Sequence, residues 1–267
     1  SAISFLLTSG DDAVVGRLLT TTALGYYRLG YQLGKTPTME LSRALSTVTF
    51  PMYSKLQADD DALADALRRV VRLLSFASFP AAVGVVLVAP SFVRVALGSE
   101  WTAVVPVMQA VAVYGAFSAL TSSFNDVWNA IGRPDLNTKI NALRLVVTGA
   151  LVVPATLRYE LLGTVAVMAG VFLVLVVPVK FHVAARTVGV ARRDLLVELA
   201  YPALASAAMG AVLLGVRRLA TPSPLVELVA LVVLGVAVYA GAVYAIAARS
   251  SWGIDGELRT VLAAVRG

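Results

Sequence analysis

The chain has 267 residues, of which 58% are hydrophobic and only 14% charged, and its mean hydropathy of +0.81 lies far from the balance of a soluble domain. The net charge of +6 is spread over loops, with no basic face interleaved with aromatics, which argues against nucleic-acid binding. The absence of cysteine excludes disulfides and thiolate metal sites, and one histidine, His182, cannot build a histidine metal centre.

In chain order, the first residues, Ser1-Ala2-Ile3, lack a methionine and enter an apolar segment abruptly, so the chain is read as clipped at its N-terminus. Residues 13–53 are apolar but carry Arg17, Arg28, Lys35, Glu40 and Arg43. Division at Thr20-Thr21-Thr22 and Gly25 predicts one helix ending near Leu19 and a longer one from about Leu24 to Lys55, kinked at Pro37. Asp59-Asp60-Asp61 is expected to cap an amphipathic helix start over Ala62–Arg72. Five runs follow without Asp, Glu, Lys or Arg: Leu73–Val93, Trp101–Asn125, Leu161–Val179, Leu199–Val216 and Leu228–Ala248. About 18 such residues suffice to cross a bilayer core. Hydrocarbon cannot satisfy backbone amides, so each run is expected to be a helix. Ile140–Leu157 makes a sixth span, with Arg144 expected to snorkel from near its end. The tail Ile254–Val265 has apolar residues at helical spacing and reads as a short surface helix. The fold class is therefore an all-α polytopic membrane bundle of about eight transmembrane helices.

Lys and Arg mark the orientation. Alternate gaps hold fourteen of them, from Lys55, Arg68, Arg69 and Arg72 through to Arg249, Arg259 and Arg266; the intervening gaps hold only Arg94, Arg158, Arg217 and Arg218. Cytoplasmic loops carry the basic excess, so the Lys55 side and the C-terminus are expected to be cytoplasmic.

Charges inside membrane helices are costly and mark candidate sites. Arg28, Gln32 and Lys35 are spaced by four and three, which puts them on one helical face, with Tyr27 and Tyr31 as an adjacent aromatic strip. Such a face suits an anionic amphiphile, guanidinium or ammonium taking phosphate and rings taking sugar or isoprenoid; packing with both cations snorkelling is the alternative. Asp11, Asp12 and Arg17 cluster on the first helix, where Asp12 is a candidate ion-coupling site. Ser118, Ser122, Asn125 and Asn129 form a polar stripe that serves either helix packing or substrate contact, with Asp126 beside it as a second ion-coupling candidate. No convergent catalytic set is visible, and no cofactor motif or phosphate-cradling loop, so a non-enzyme is expected.

The same residues carry a family resemblance. Asp12-Ala-Val-Val-Gly-Arg17-Leu-Leu followed by Ala23-Leu-Gly-Tyr-Tyr-Arg-Leu-Gly-Tyr31 resembles the start of the second half of Wzx-type polysaccharide flippases. Phe50-Pro-Met-Tyr-Ser-Lys-Leu-Gln57, Leu97-Gly-Ser-Glu-Trp101 with Val105-Pro106, and Asn129-Ala-Ile-Gly-Arg-Pro134 reinforce it in order and spacing. The pattern is similar to colanic-acid-exporter-like members of the multidrug/oligosaccharidyl-lipid/polysaccharide exporter superfamily. It covers residues 1–145 strongly; the remainder matches by span number and hydropathy.

The resemblance implies a flippase in the cytoplasmic membrane that moves lipid-linked oligosaccharide repeat units by alternating access. It also implies that residues 1–182 are a second lobe and residues 183–267 two trailing helices with a cytoplasmic end. Arg17, Arg28 and Lys35 would attract the pyrophosphate of a polyprenyl carrier. The implied partners are a polyprenyl-(pyro)phosphate-linked glycan, membrane lipids, a missing first lobe of the same protein and glycan polymerase machinery. Three rivals are a drug/cation antiporter of the same superfamily, a membrane polysaccharide polymerase or ligase, and an inactive fragment. A basic rather than acidic face argues against the first, and short outward gaps argue against the second.

Overall fold

The computed structural model describes residues 2–219 and 223–247, all in helices and the short turns between them. The elements are α1 (Ala2–Leu18), α2 (Thr21–Leu56), α3 (Asp60–Ala96), a single 3-10 turn at Ser99–Trp101, α4 (Val104–Ala130), α5 (Asp135–Val171), a π-helical stretch at Phe172–Val176, α6 (Val177–Val188), α7 (Arg192–Leu219) and α8 (Pro224–Ala247). The expected tail helix Ile254–Val265 lies outside the described residues.

The breaks have local causes. Thr20 is extended and its Oγ1 accepts from the Ala23 amide, capping α2. The predicted α2 therefore begins three residues earlier than the apolar pattern implied. Asp59 caps α3 as expected, accepting from the Ala62 amide at 3.0 Å, and the amphipathic start runs into the membrane span without a break. Gly98 and Gly132 take positive φ where α3 and α4 end.

The described residues contain five stretches long and apolar enough to cross a membrane: Asp60–Ala96, Val104–Ala130, Asp135–Val188, Arg192–Leu219 and Pro224–Ile246. The 17-residue α1 and the charged α2 are helical without meeting that measure. The third stretch is not one rod. Glu160 has φ 52° and ψ −134°, a non-helical conformation inside α5. Beyond it the chain runs back: Thr156 and Thr164 share a hydrogen bond of 2.8 Å, although eight residues of straight helix span about 12 Å. Farther from the bend, the Arg144 guanidinium lies 5.1 Å from the Phe172 ring. The two halves of α5 are thus an antiparallel pair, divided where Ile140–Leu157 and Leu161–Val179 were separated in the sequence.

Packing is uneven along the bundle. The main core joins α2, α3, α4, α6 and the start of α7 at the end bearing Lys55, around Tyr53, Leu67, Leu74, Phe124, Trp128 and Leu195. Polar groups buried there are paired: Tyr53 Oη with Ser123 Oγ at 2.9 Å, and Trp128 Nε1 donating to Thr187 Oγ1 at 3.1 Å. Toward the other end α2 and α4 approach through small residues. A Cβ on Gly34 would stand 2.5 Å from the Met108 carbonyl oxygen, and one on Gly115 would stand 2.4 Å from Thr38 Oγ1. Lipid tails do not drive such helices together by water exclusion, so close backbone approach supplies the van der Waals contact instead.

Helices α7 and α8 lie against α3. Arg72 grips Glu198 with two hydrogen bonds of 2.6 and 2.8 Å. At the far end Glu227 takes Arg217 at 2.9 Å and Arg94 at 3.4 Å. Arg72 and Arg94 stand on α3 about 33 Å apart along the axis, close to the thickness of a hydrocarbon core. Between these clamps α2, α3, α7 and α8 enclose an apolar groove of about 1100 Å³, lined among others by Leu33, Thr36, Phe76, Met209, Leu231 and Tyr239.

Candidate functional site

The site builds from α2. Its buried side follows Tyr27, Gly30, Gly34 and Thr38, the residues that face α4 and α1. Its exposed side therefore presents Thr21, Gly25, Arg28, Gln32, Thr36, Glu40, Arg43 and Thr47, spaced by three and four. The result is a continuous polar stripe on a helix whose bundle otherwise exposes apolar side chains, such as Val146, Leu157, Val174 and Val236. Exposed charge facing hydrocarbon is expensive, so the stripe belongs against water or protein.

Two carboxylates of α1 meet this helix. Asp11 is buried, accepting from the Tyr27 hydroxyl and from the Asp12 amide. Asp12 takes Arg28 Nε at 3.0 Å, with the arginine side chain 63% exposed. The adjacent acids thus have different roles: Asp11 joins α1 to the inner face of α2, while Asp12 sits at the rim with a wet partner. Asp11 is thus enclosed rather than solvated. Arg17 is exposed near the end of α1.

Lys35 does not share the outward direction of Arg28 and Gln32. Its Nζ donates to the Tyr31 hydroxyl at 3.2 Å and lies 5.1 Å from the Tyr31 ring centre and 5.9 Å from that of Tyr114. Tyr27 and Tyr31 stand with ring centres 6.0 Å apart, forming the aromatic strip beside the stripe. The structure thus brings Asp12, Arg28, Tyr27, Tyr31, Gln32 and Lys35 into one region of α1 and α2.

The other candidates lie elsewhere. Asn125 accepts from Lys180 Nζ at 2.9 Å. Asp126 accepts from Thr49 Oγ1 at 2.9 Å, and Asn129 is exposed near the end of α4. Thr49 is about 30 Å along α2 from Arg28, so the two ion-coupling candidates, Asp12 and Asp126, belong to opposite ends of the bundle.

Two cations read as peripheral are in fact internal. Arg144 does not snorkel: it is 8% exposed, with its guanidinium 5.5 Å from the Tyr114 ring and 5.1 Å from that of Phe172. The reversal at Glu160 causes this, because it packs the second half of α5 over the first and closes the route to the interface. Lys180, one of the fourteen basic residues in the richer gaps and the first residue after the Leu161–Val179 run, is 4% exposed. The basic asymmetry between the two sets of gaps survives their removal. Arg144 had been placed near a helix end by its run alone; Tyr114 and Phe172, each about thirty residues away in sequence, gave no local signal of the enclosure. Among the described residues no group of three or more His, Cys, Asp or Glu is arranged to hold a metal.

Comparison with known proteins agrees with this architecture. Residues 1–106 match the family model described as "Polysaccharide biosynthesis protein". The lipopolysaccharide biosynthesis protein WzxC of Escherichia coli (strain K12) is 27% identical over 178 residues, which is 66% of this chain and 35% of that protein. The teichuronic acid biosynthesis protein TuaB of Bacillus subtilis (strain 168) is 29% identical over 126 residues, 47% of this chain and 26% of that protein. The chain thus spans about a third of the length of the curated relatives it matches. Among solved structures, the lipid II flippase MurJ in its inward closed conformation matches 90% of this chain and 50% of its own, with a TM-score of 0.74 and 17% identity. This is a multi-pass membrane protein that resembles Wzx-type polysaccharide flippases in sequence, through residues 1–106 above all, and a lipid flippase in fold.

Proposed function

We propose that this chain is the second lobe of a flippase that carries lipid-linked oligosaccharide repeat units across the cytoplasmic membrane during cell-surface polysaccharide synthesis. One observation carries the reading: the exposed polar stripe of α2 and the apolar groove meet at Thr36, which belongs to both. A substrate with a charged, sugar-bearing head and a long hydrocarbon tail needs those two surfaces side by side. The groove walls hold an isoprenoid tail by contact alone, and Gln32 and Arg28 stand one and two turns along the stripe to receive the head. Arg28 and Lys35 supply the cations for a pyrophosphate, Tyr27 and Tyr31 the rings for sugar, and Arg17 a further exposed cation at the rim.

A first lobe of the same protein supplies the opposite wall, and rocking of one lobe against the other exposes the site to each side in turn. Asp12, already paired with Arg28, is the candidate through which an ion or proton resets the cycle. Asn125, Asn129 and Asp126 serve the cytoplasmic end of the path. Residues 1–182 make the lobe proper and the trailing helices α7 and α8 the outer wall of the groove, with the C-terminus in the cytoplasm. A drug/cation antiporter would present acids on the exposed face where this chain presents Arg28, Gln32 and Arg43.

The test is export in cells that depend on the full-length protein. Replacement of both Arg28 and Lys35 by Ala abolishes surface polysaccharide while membrane insertion stays normal. Undiminished export with both cations gone would remove the assignment.

A further inference from the structure

Behind the stripe is a second feature, which shares Tyr27, Tyr31 and Lys35 with the transport reading but adds Tyr114 and Arg144, which that reading does not use. A small cavity of about 20 Å³ lies where α2, α4 and the two halves of α5 meet, lined by Tyr27, Tyr31, Val111, Tyr114, Arg144 and Val165, with Met168 and Ala169. That volume admits one occupant the size of a water molecule. It is too small for a phosphate or sugar, which separates it from any substrate site.

The lining is rich in proton donors and carries no free carboxylate. Arg144 Nε is buried without a hydrogen-bond partner. Tyr31 Oη accepts from Lys35 Nζ and shares a hydrogen bond with the Tyr114 hydroxyl, so the two phenols keep one proton to give elsewhere. The Tyr114 hydroxyl sits beside Arg144, Ser118 and Tyr31. Tyr27 is already committed to Asp11. Among the described residues neither Arg144 nor Lys35 forms an ion pair, and Lys180 is satisfied by the neutral amide of Asn125. Buried charge is tolerated when it is paired, and here two cations converge on phenolic hydroxyls, while the nearby Asp11 carboxylate is taken by the Tyr27 hydroxyl and lies outside the lining.

We propose that this cavity holds a single small monovalent anion of halide size, bound by Arg144 and by the proton that the Tyr31–Tyr114 pair leaves free, and backed by Lys35. A halide accepts several donors at once and tolerates the apolar remainder of the wall, Val111, Val165, Met168 and Ala169. Because its ligands come from α2, α4 and α5, the ion cross-links three helices and fixes the back of the wall on which the polar stripe is mounted. A water in the same place would complete hydrogen bonds but leave Arg144 and Lys35 facing neutral groups, since the Asp11 carboxylate is already bound by Tyr27.

The experiment uses the full-length protein in detergent, transferred from sodium isethionate, whose anion exceeds the cavity, to sodium chloride or bromide at equal ionic strength. Chloride and bromide raise the melting temperature by several degrees in a saturable way. Tyr114→Phe raises the half-saturating halide concentration about tenfold, as loss of one buried donor to an ion would; Tyr31→Phe repeats the measurement should the first variant fail to fold. Anomalous diffraction from crystals grown in bromide then shows a peak beside Arg144 Nε. Equal stability in isethionate and chloride would overturn the proposal, as would density for an ordered water only with no bromide signal.

Discussion

At the scale of the residue, neighbouring acids with the same chemistry are given different work by their surroundings. Asp11 is enclosed and depends on the Tyr27 hydroxyl, whereas Asp12 and Arg28 share a pair with the arginine largely in the open. Removing one partner from a buried polar contact costs the desolvation of the group left behind, about 1–3 kcal/mol; an exposed ion pair contributes about 0–1 kcal/mol. Tyr27→Phe therefore lowers stability in detergent by about 2 kcal/mol, and Arg28→Ala by less than about 1 kcal/mol, read from paired denaturation curves. Equal losses would mean that Asp12 and Arg28 are as enclosed as Asp11. Sequence spacing selected Tyr27, Arg28, Gln32 and Lys35 because a helix repeats every three to four residues. It could not separate Lys35 from Arg28, since the two share a helical direction and only the rings of Tyr31 and Tyr114 draw the ammonium inward.

At the scale of the element, the reversal inside α5 decides what the bundle encloses. Glu160 occupies φ 52° and ψ −134°, close to the first central position of a type II′ turn, where glycine is favoured. A side chain there holds strain of about 1–3 kcal/mol. Glu160→Gly is expected to stabilise the protein by about 1 kcal/mol without altering the fold, seen as a higher melting temperature; a lower one would show that the Glu160 side chain contributes more than its backbone costs. Gly163 completes the bend, because a Cβ there would meet the Ala155 carbonyl oxygen at 2.1 Å. The division between Ile140–Leu157 and Leu161–Val179 was legible, since Arg158 and Glu160 interrupt the apolar pattern where the chain turns. The burial of Arg144 was not, because it depends on which helix returns over it. Helix starts were equally readable at Asp59, whose carboxylate caps α3, and less so at Thr20, where threonines could end one helix or begin the next.

At the scale of the whole molecule, the bundle has one polar face and several apolar ones, and α7 and α8 are held to α3 by Arg72–Glu198 at one end and by Arg94 and Arg217 with Glu227 at the other. The apolar faces explain why hydropathy alone revealed a membrane bundle. The polar face of α2 is what that reading could not interpret, since the same residues would be equally polar in a soluble helix. Under the proposed function, its place beside a lipid-sized groove makes it one wall of a path for an amphiphile. The chain contains no cysteine, so single thiols can be placed within it at will. Gln32→Cys and Thr36→Cys on the stripe, with Val146→Cys and Val174→Cys on the apolar faces, are to be made in the full-length protein and treated in membranes with a water-soluble thiol reagent. Modification of Cys-substituted positions 32 and 36, with positions 146 and 174 left unmodified, is the predicted result. Equal protection at all four positions would contradict a water-filled path along α2.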